Sequence, residues 1–148
     1  DQGGRLEESV SEEIANHRQT KGKYIPGFGH RFHKPEDPRA PRLMKLVSDA
    51  EGDKIVSGNF MRIGLEIQRQ LSQGKSTGIA MNIDGATAVI FGELGFAPPL
   101  ARGLFCLSRS VGILAHAWEQ KNQGGRNKGP TPPEFLWNYS GKNPLTEG

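Results

Sequence analysis

The sequence predicts an all-α fold. Apolar residues recur at three- and four-residue steps in several segments, as they do along one face of an α-helix. The chain offers no convincing series of alternating apolar and polar runs, which is the pattern of β-strands. Its 20 glycines and 10 prolines gather at segment ends and in three loops. We therefore expect helices joined by loops that these two residue types terminate.

The first two helices are predicted from amphipathic patterns. The first runs from about Leu6 to Arg18, and one face of it carries Leu6, Val10, Ile14 and His17. The second begins after Asp37, the expected cap, with Pro38 at its first helical position. Gly52 ends it. Its apolar face is predicted to hold Leu43, Leu46, Val47 and Ala50.

Three more helices follow. The third is expected from about Lys54 to Ser72, and the fourth from the capping residue Asn82 to Gly95. Within the fourth, the short apolar run 89–91 also suits a strand, but helix is the better prediction. The fifth runs from about Leu100 to Gln120 and is apolar nearly all round, so we expect it to be buried, for example in a subunit interface.

Composition limits the class of protein. The 148 residues suit one domain, and a net charge of +3 with basic and acidic residues mixed argues against a nucleic-acid partner. Arg102, Arg109 or glycine breaks every apolar segment, so we predict neither a signal peptide nor a membrane span. The single cysteine, Cys106, indicates a small buried side chain in a reducing, cytoplasmic protein. The chain begins at Asp1 instead of methionine, so it remains an open alternative that the sequence is part of a longer protein.

The strongest local signal is the loop Ile25-Pro26-Gly27-Phe28-Gly29-His30-Arg31. Glycines on both sides of an aromatic residue let backbone N–H and C=O groups approach a ligand closely. His30 is suited to polarise a carbonyl or to transfer a proton, and Arg39 offers a forked donor for a carboxylate. Such a loop on its own is more often structural, so both interpretations stay open.

Two charged residues inside predicted helices also have two explanations each. Asp84, just after the cap Asn82, either complements the helix dipole or acts as a general base. Arg109 interrupts an apolar helix, and a buried guanidinium needs an anionic partner, which is either a structural carboxylate or a ligand.

Together these motifs resemble the citrate synthase family, which includes citryl-CoA lyases and part of ATP-citrate lyase. The matching segments are Pro26–Arg31 with Asp37–Arg39 at its set spacing, then Asn82–Asp84, then Leu107–Gln120. The resemblance covers most of the chain. It implies a citrate-synthase-like multi-helical fold, made of the small domain plus part of the large domain.

The resemblance also implies roles for single residues. His30 hydrogen-bonds the carbonyl of the oxo acid, and Asp84 removes a proton from the methyl group of acetyl-CoA. Arg39 and Arg109 hold the carboxylates of oxaloacetate or citrate. Coenzyme A, bound as acetyl-CoA or citryl-CoA, is expected to contact Ile25, Pro26, Gly27, Phe28, Gly29, Lys34 and Asn82. No metal is implied.

The chain departs from the family pattern in two places. Family members have a further histidine in an upstream His-Gly-Gly segment, whereas residues 2–4 read Gln-Gly-Gly and His17 is a poor substitute. The family's Arg-Pro pair after the long helix is replaced by Pro132-Pro133, which leaves Arg126 as the candidate arginine. These departures weaken a specific assignment to citrate synthase and favour a lyase or a different acid substrate.

We expect a dimeric enzyme that condenses acetyl-CoA with oxaloacetate. One alternative is a citryl-CoA lyase, and another is an inactive CoA-binding or assembly module. Residues 1–80 are expected to form a smaller hinged domain with the CoA and histidine loop. Residues 81–121 hold the catalytic aspartate helix and the long core or interface helix, and 122–148 form a glycine- and proline-rich tail. The expected partners are acyl-CoA, an oxo acid or citrate, and a second copy of the chain, with no nucleic acid and no membrane.

Overall fold

The computed structural model describes residues 2–33 and 36–124. Five helices and the loops between them make up these ranges, and no strand occurs in them, which confirms the all-α prediction. A single antiparallel bridge pairs Phe28 with Met81. In chain order the helices are α1 (Gln2–Thr20), α2 (Arg39–Gly52), α3 (Asn59–Ser72), α4 (Ile83–Glu93) and α5 (Pro98–Asn122).

The chain divides into two compact units. The first extends from Asp1 to Ser108 and the second begins at Arg109, so the boundary falls within the length of α5. In the described part of the chain, no helix is both long and apolar enough to cross a membrane. The cytoplasmic location stays a prediction.

The first core of the larger unit joins α2 to α4. Its buried residues come from these helices and from the segment just before α4, and Phe28, Leu43 and Met44 pack against it. The buried set is Ala40, Val47, Met81, Ala86 and Val89. Because α4 packs against α2 as well as α3, the position of its first turn depends on both helices.

The second core joins α1 to α3. Val10 and Ile14 of α1 and Leu71 of α3 are buried together, which confirms the predicted apolar face of the first helix. Phe28 packs against this core too. The aromatic residue between the two loop glycines is therefore the side chain that anchors the loop to both parts of the interior.

The predicted face of the second helix is partly wrong. Leu46 is 55% exposed, while Ala40 is buried and Met44 packs against the first core. The face that meets α4 is therefore rotated toward positions 40, 44 and 47, which follow each other at helical spacing. The orientation of α4 selects this face of α2. The apolar periodicity of α2 alone does not indicate that orientation.

The third helix begins five residues later than predicted. Lys54 has a φ of 59° and Gly58 a φ of 71°, so the chain turns twice before α3 starts at Asn59. Both values lie in the left-handed region, which a helix cannot contain. Ile55 lies within the predicted helix but precedes α3 and is 72% exposed.

The fifth helix has the predicted extent but is not buried in the single chain. None of its residues is fully buried, and Cys106 is exposed, so the predicted buried thiol is wrong within this chain. Large apolar side chains lie exposed along the helix, including Leu107, Val111, Leu114 and Trp118.

Glu93, the last residue of α4, caps the start of α3. Its carboxylate accepts hydrogen bonds from the backbone N–H groups of Gly58 (2.9 Å), Phe60 (2.7 Å) and Met61 (3.2 Å), and from the Ser57 hydroxyl (3.0 Å). Burial raises the pKa of the Glu93 carboxyl, but these hydrogen bonds together outweigh it and lower the pKa. A carboxylate more than thirty residues away thus satisfies the free N–H groups at this helix start.

We expect Glu93→Gln to lower the free energy of unfolding by about 1–3 kcal/mol, because the amide removes one acceptor and faces the N–H groups with a donor. Urea denaturation at neutral pH measures this. The matched control is Glu8→Gln on the exposed face of α1, which should change stability by less than about 0.5 kcal/mol.

The difference in the free energy of unfolding between wild type and Glu93→Gln should become smaller in acid. A carboxyl group whose folded pKa is lowered contributes stability above its unfolded pKa and loses it as pH falls through the folded value. Equal loss of stability in the two proteins between pH 6 and 3, the range about the ordinary glutamate value, would contradict the capping role.

Candidate active site

The loop that carries His30 is paired with the segment that leads into α4. The N–H of Gly29 donates to the carbonyl of Ala80 at 2.7 Å, and the N–H of Asn82 donates to the carbonyl of Gly27 at 2.9 Å. These bonds lie on either side of the bridge between Phe28 and Met81. Two segments more than fifty residues apart in sequence are thereby held side by side.

Two glycines allow the loop to touch the first turn of α4. A Cβ built on Gly27 would lie 2.8 Å from the Cα of Gly85, and Gly27 has a φ of 87°. A Cβ on Gly85 would collide with the Gly27 carbonyl and lie 2.8 Å from Cγ of Met81. Backbone therefore packs directly on backbone here, and no side chain fits between.

Asn82 joins the loop to the helix through its side chain. Its Oδ1 accepts from the N–H groups of Asp84 (2.9 Å) and Gly85 (3.2 Å), which confirms the predicted helix cap. Its Nδ2 donates to the carbonyl of Gly29 at 2.8 Å. One amide thus connects the residue before His30 with the turn that carries Asp84.

His30 has a defined tautomer. Its Nδ1 accepts hydrogen bonds from the backbone N–H groups of Phe32 (3.1 Å) and His33 (3.0 Å). A nitrogen that accepts from N–H groups carries no proton, so the neutral ring is protonated at Nε2. The ring of His33 lies against that of His30, with centroids 4.4 Å apart and the ring planes tilted by 34°. His30 is half-buried and has an N–H donor at Nε2.

Arg39 is held by Asp37 at the start of α2. Nε of Arg39 donates to Oδ1 of Asp37 at 2.9 Å, and Nη2 donates to Oδ2 at 2.8 Å, which is the bidentate geometry of an arginine–carboxylate pair. Asp37 is 1% exposed, and the Arg39 guanidinium holds the pKa of its carboxyl well below the usual range. Asp37 also raises the pKa of Arg39, as does the nearby charge of Asp84 to a smaller extent.

The Asp37 carboxylate also contacts the start of α2 and reaches α4. The predicted cap is one residue off, because Pro38 occupies the N-cap position and Arg39 is the first helical residue. Oδ1 of Asp37 nevertheless accepts from the N–H of Arg39 at 3.1 Å. Its Oδ2 accepts from the N–H of Ile83 at 3.0 Å, a bond that the sequence does not signal because the partners are 46 positions apart.

The structure therefore brings several predicted site residues together. The loop 25–29, Asn82 and the first turn of α4 are in contact, and the charge of Asp84 acts on Arg39. Asp84 is exposed. Of the remaining loop residues, Ile25 packs against the second core and Pro26 is exposed.

The contacts above do not include three other predicted residues. Arg109 is on α5 in the second unit and is exposed in the single chain, so the premise that its guanidinium is buried is wrong there. Lys34 and Arg126 lie outside the described residues. Their predicted roles stay predictions.

An open groove between α1 and the end of α3 contains none of the predicted site residues. Its lining is polar and includes Glu7, Glu8, Gln70 and Gln73. No group of histidine, cysteine, aspartate or glutamate side chains in residues 2–33 and 36–124 is arranged to hold a metal ion.

Comparison with known proteins identifies a family for this chain. The family profile described as citrate synthase, C-terminal domain, matches residues 3–130. The citrate synthase of Acidithiobacillus ferridurans is 34% identical over 109 residues, which are 72% of this chain and 28% of that enzyme. The chain thus spans less than a third of the length of this curated relative.

Two solved structures are similar in fold and sequence. Citrate synthase from Thermotoga maritima superposes with a TM-score of 0.64 at 29% identity, covering 96% of this chain and 38% of that one. Citryl-CoA lyase from Hydrogenobacter thermophilus gives a TM-score of 0.60 at 28% identity, covering 94% of this chain and 55% of that one.

We expect Gly85→Ala to lower the free energy of unfolding by about 1–3 kcal/mol, because the new methyl group forces the Gly27 backbone away from α4. Thermal and urea denaturation measure the change. The control is Gly4→Ala in α1, where an added Cβ meets nothing within 4 Å, so stability should rise slightly, by up to about 1 kcal/mol. Equal stabilities of the two variants would show that the loop and α4 are not in contact.

Proposed function

Because the chain belongs to the citrate synthase family, we propose that it carries the chemistry of carbon–carbon bond formation between acetyl-CoA and oxaloacetate, giving citryl-CoA or citrate. The observation that carries this proposal is the side chain of Asn82. It donates to Gly29, next to His30, and caps the turn that holds Asp84. An acid–base pair for a carbon acid and a ketone has to be held together in this way.

In this proposal Asp84 is the base. Its carboxylate takes a proton from the methyl carbon of acetyl-CoA, and the electron pair of the broken C–H bond becomes the enolate. The enolate carbon then attacks the ketone carbon of oxaloacetate and forms the new bond. The charge of Asp84 acts on Arg39, so this carboxylate lies near the guanidinium.

His30 serves the ketone oxygen. With Nδ1 occupied by two backbone donors, the Nε2–H group is directed by the ring and donates to the oxygen as negative charge develops on it. This hydrogen bond stabilises the alkoxide, which gains a proton to become the hydroxyl of citryl-CoA, and release of the methyl proton from Asp84 balances that gain. Water then hydrolyses the thioester if citrate is the product.

The arginines bind the acid substrate. Asp37 engages Nε and Nη2 of Arg39, and the remaining N–H donors of that guanidinium are available to a carboxylate. We assign the second carboxylate contact to Arg109 and a third to Arg126. Coenzyme A is assigned to the backbone of residues 25–29, to Lys34 and to Asn82.

A citryl-CoA lyase is the second candidate. The chain covers 55% of the citryl-CoA lyase of Hydrogenobacter thermophilus but 38% of the citrate synthase of Thermotoga maritima. The same residues serve cleavage with the same tautomer: the hydroxyl of citryl-CoA loses its proton, the Nε2–H of His30 donates to the resulting alkoxide, and the Asp84 carboxylate takes up a proton. The carbon–carbon bond breaks, and Asp84 protonates the enolate carbon to give acetyl-CoA.

We propose that residues 1–80 form the smaller domain and that its closure excludes water from the reacting groups. Residues 81–121 supply the aspartate helix and the interface helix, and 122–148 the tail.

Two assays on the full-length protein test the proposal. One measures release of acetyl-CoA from citryl-CoA, and the other measures citrate formation from acetyl-CoA and oxaloacetate. The faster reaction identifies lyase or synthase. Binding of coenzyme A without either reaction would favour an inactive binding or assembly module instead.

We expect Asp84→Asn to lower the rate of the active direction by about 10²–10⁴-fold, because the amide cannot accept the proton. Affinity for coenzyme A, measured by calorimetry, should stay unchanged. The control, Asp49→Asn, removes an exposed carboxylate paired with Lys45 on α2 and should keep the wild-type rate. A near-normal rate for Asp84→Asn would refute the assignment of the base.

We also propose that α5 forms a homodimer interface. Its exposed residues Leu107, Val111, Leu114 and Trp118 follow each other at steps of four, three and four, as on one face of a packed helix. Light scattering should give twice the 16.2 kDa mass of this chain, and Leu114→Glu should shift the mass toward the monomer. A monomeric wild-type chain would rule out the interface.

A further inference from the structure

We infer that Asp37 is a positioning residue that fixes two site residues at once: Arg39 through its guanidinium, and Asp84 through the backbone of Ile83. This inference rests on the proposed function, since it assigns Arg39 to the acid substrate and Asp84 to proton transfer. It adds a residue that contacts neither substrate.

The burial of Asp37 separates its role from that of Asp84. Asp37 is 1% exposed, so its carboxylate cannot reach a substrate, whereas Asp84 is exposed. Both oxygens of Asp37 are occupied: Oδ1 by the N–H and Nε of Arg39, and Oδ2 by Nη2 of Arg39 and the N–H of Ile83. A buried carboxylate with this set of donors is held in one orientation.

The hydrogen bond from the N–H of Ile83 links the Asp37 carboxylate to a second site residue. Ile83 is the first residue of α4 and directly precedes Asp84. Its N–H is one of the groups at a helix start that have no partner within the helix. Asp37 therefore connects the start of α2 with the start of α4, and a shift of its carboxylate displaces Arg39 and the first turn of α4 together.

The charges near Arg39 distinguish a positioning role of Asp37 from a purely electrostatic one. Asp37 and Asp84 carry two negative charges beside the one positive charge of Arg39. If Asp37 acted only by its charge, its removal would make the site more positive and strengthen binding of a carboxylate substrate. If it acts by holding Arg39, the same removal weakens binding, because a loose guanidinium must be ordered for each binding event.

The experiment compares Asp37→Asn with Asp49→Asn, the matched exposed change on α2, in the full-length protein. For Asp37→Asn we expect KM for the acid substrate to rise about tenfold or more and kcat to fall on the order of a hundredfold. Asp49→Asn should keep both values. Purely structural damage would lower the folded fraction and thus kcat, with KM unchanged. Unchanged or lowered KM in Asp37→Asn would overturn the inference.

A second mutant background tests the route through Arg39. In Arg39→Ala protein, adding Asp37→Asn should raise KM for the acid less than threefold further, because the side chain that Asp37 orients is already absent. A full tenfold further rise would show that Asp37 acts on the acid by another route and would overturn the inference.

Amide hydrogen exchange separates this inference from the proposed function. In Asp37→Asn the amide of Ile83 should exchange at least about tenfold faster, while the amide of Ile14 in α1 should not change. If the wild-type protein catalyses neither reaction, the proposed function fails, and faster exchange at Ile83 still supports the link through Asp37. Unchanged exchange at Ile83 overturns the link even in an active enzyme.

Discussion

The contact between the loop at residues 25–29 and the first turn of α4 is the constraint on which the site depends. Backbone packs on backbone at Gly27 and Gly85, and Asn82 closes the contact with its own N–H, its side-chain amide and its capping oxygen. The Gly27 carbonyl and the N–H and carbonyl of Gly29 all find partners across this contact, so these groups do not carry the penalty of unsatisfied groups. The contact places the residue before His30 beside the turn that carries Asp84.

The interior on both sides keeps this contact in place. Phe28 packs against the core of α2 and α4 and against the core of α1 and α3, so the loop cannot leave α4 without exposing an aromatic ring to water. Glu93 acts at the opposite end of α4, where it caps α3. The helix that carries Asp84 is thus fixed at its start by the loop and by Asp37, and at its end by α3.

The two carboxylates near Arg39 differ in burial. The carboxylate of Asp37 is buried and fully hydrogen-bonded, while that of Asp84 is exposed beside the same arginine. The two are therefore not equivalent: the donors around the buried one hold it in one orientation, and the exposed one is open to solvent. At His30, the two backbone donors to Nδ1 place the proton of the neutral ring on Nε2.

The sequence by itself determined the helical class, the apolar face of α1, the cap at Asn82 and the motifs that identify the family. These features depend on residues close together in the chain, where periodicity and capping chemistry act. Only the tertiary structure decided the start of α3, the inward face of α2, the exposure of Leu46 and the bond from Asp37 to Ile83. Each of these depends on a partner that is distant in sequence, such as Glu93 for α3. Local sequence patterns do not indicate which distant group will be in contact.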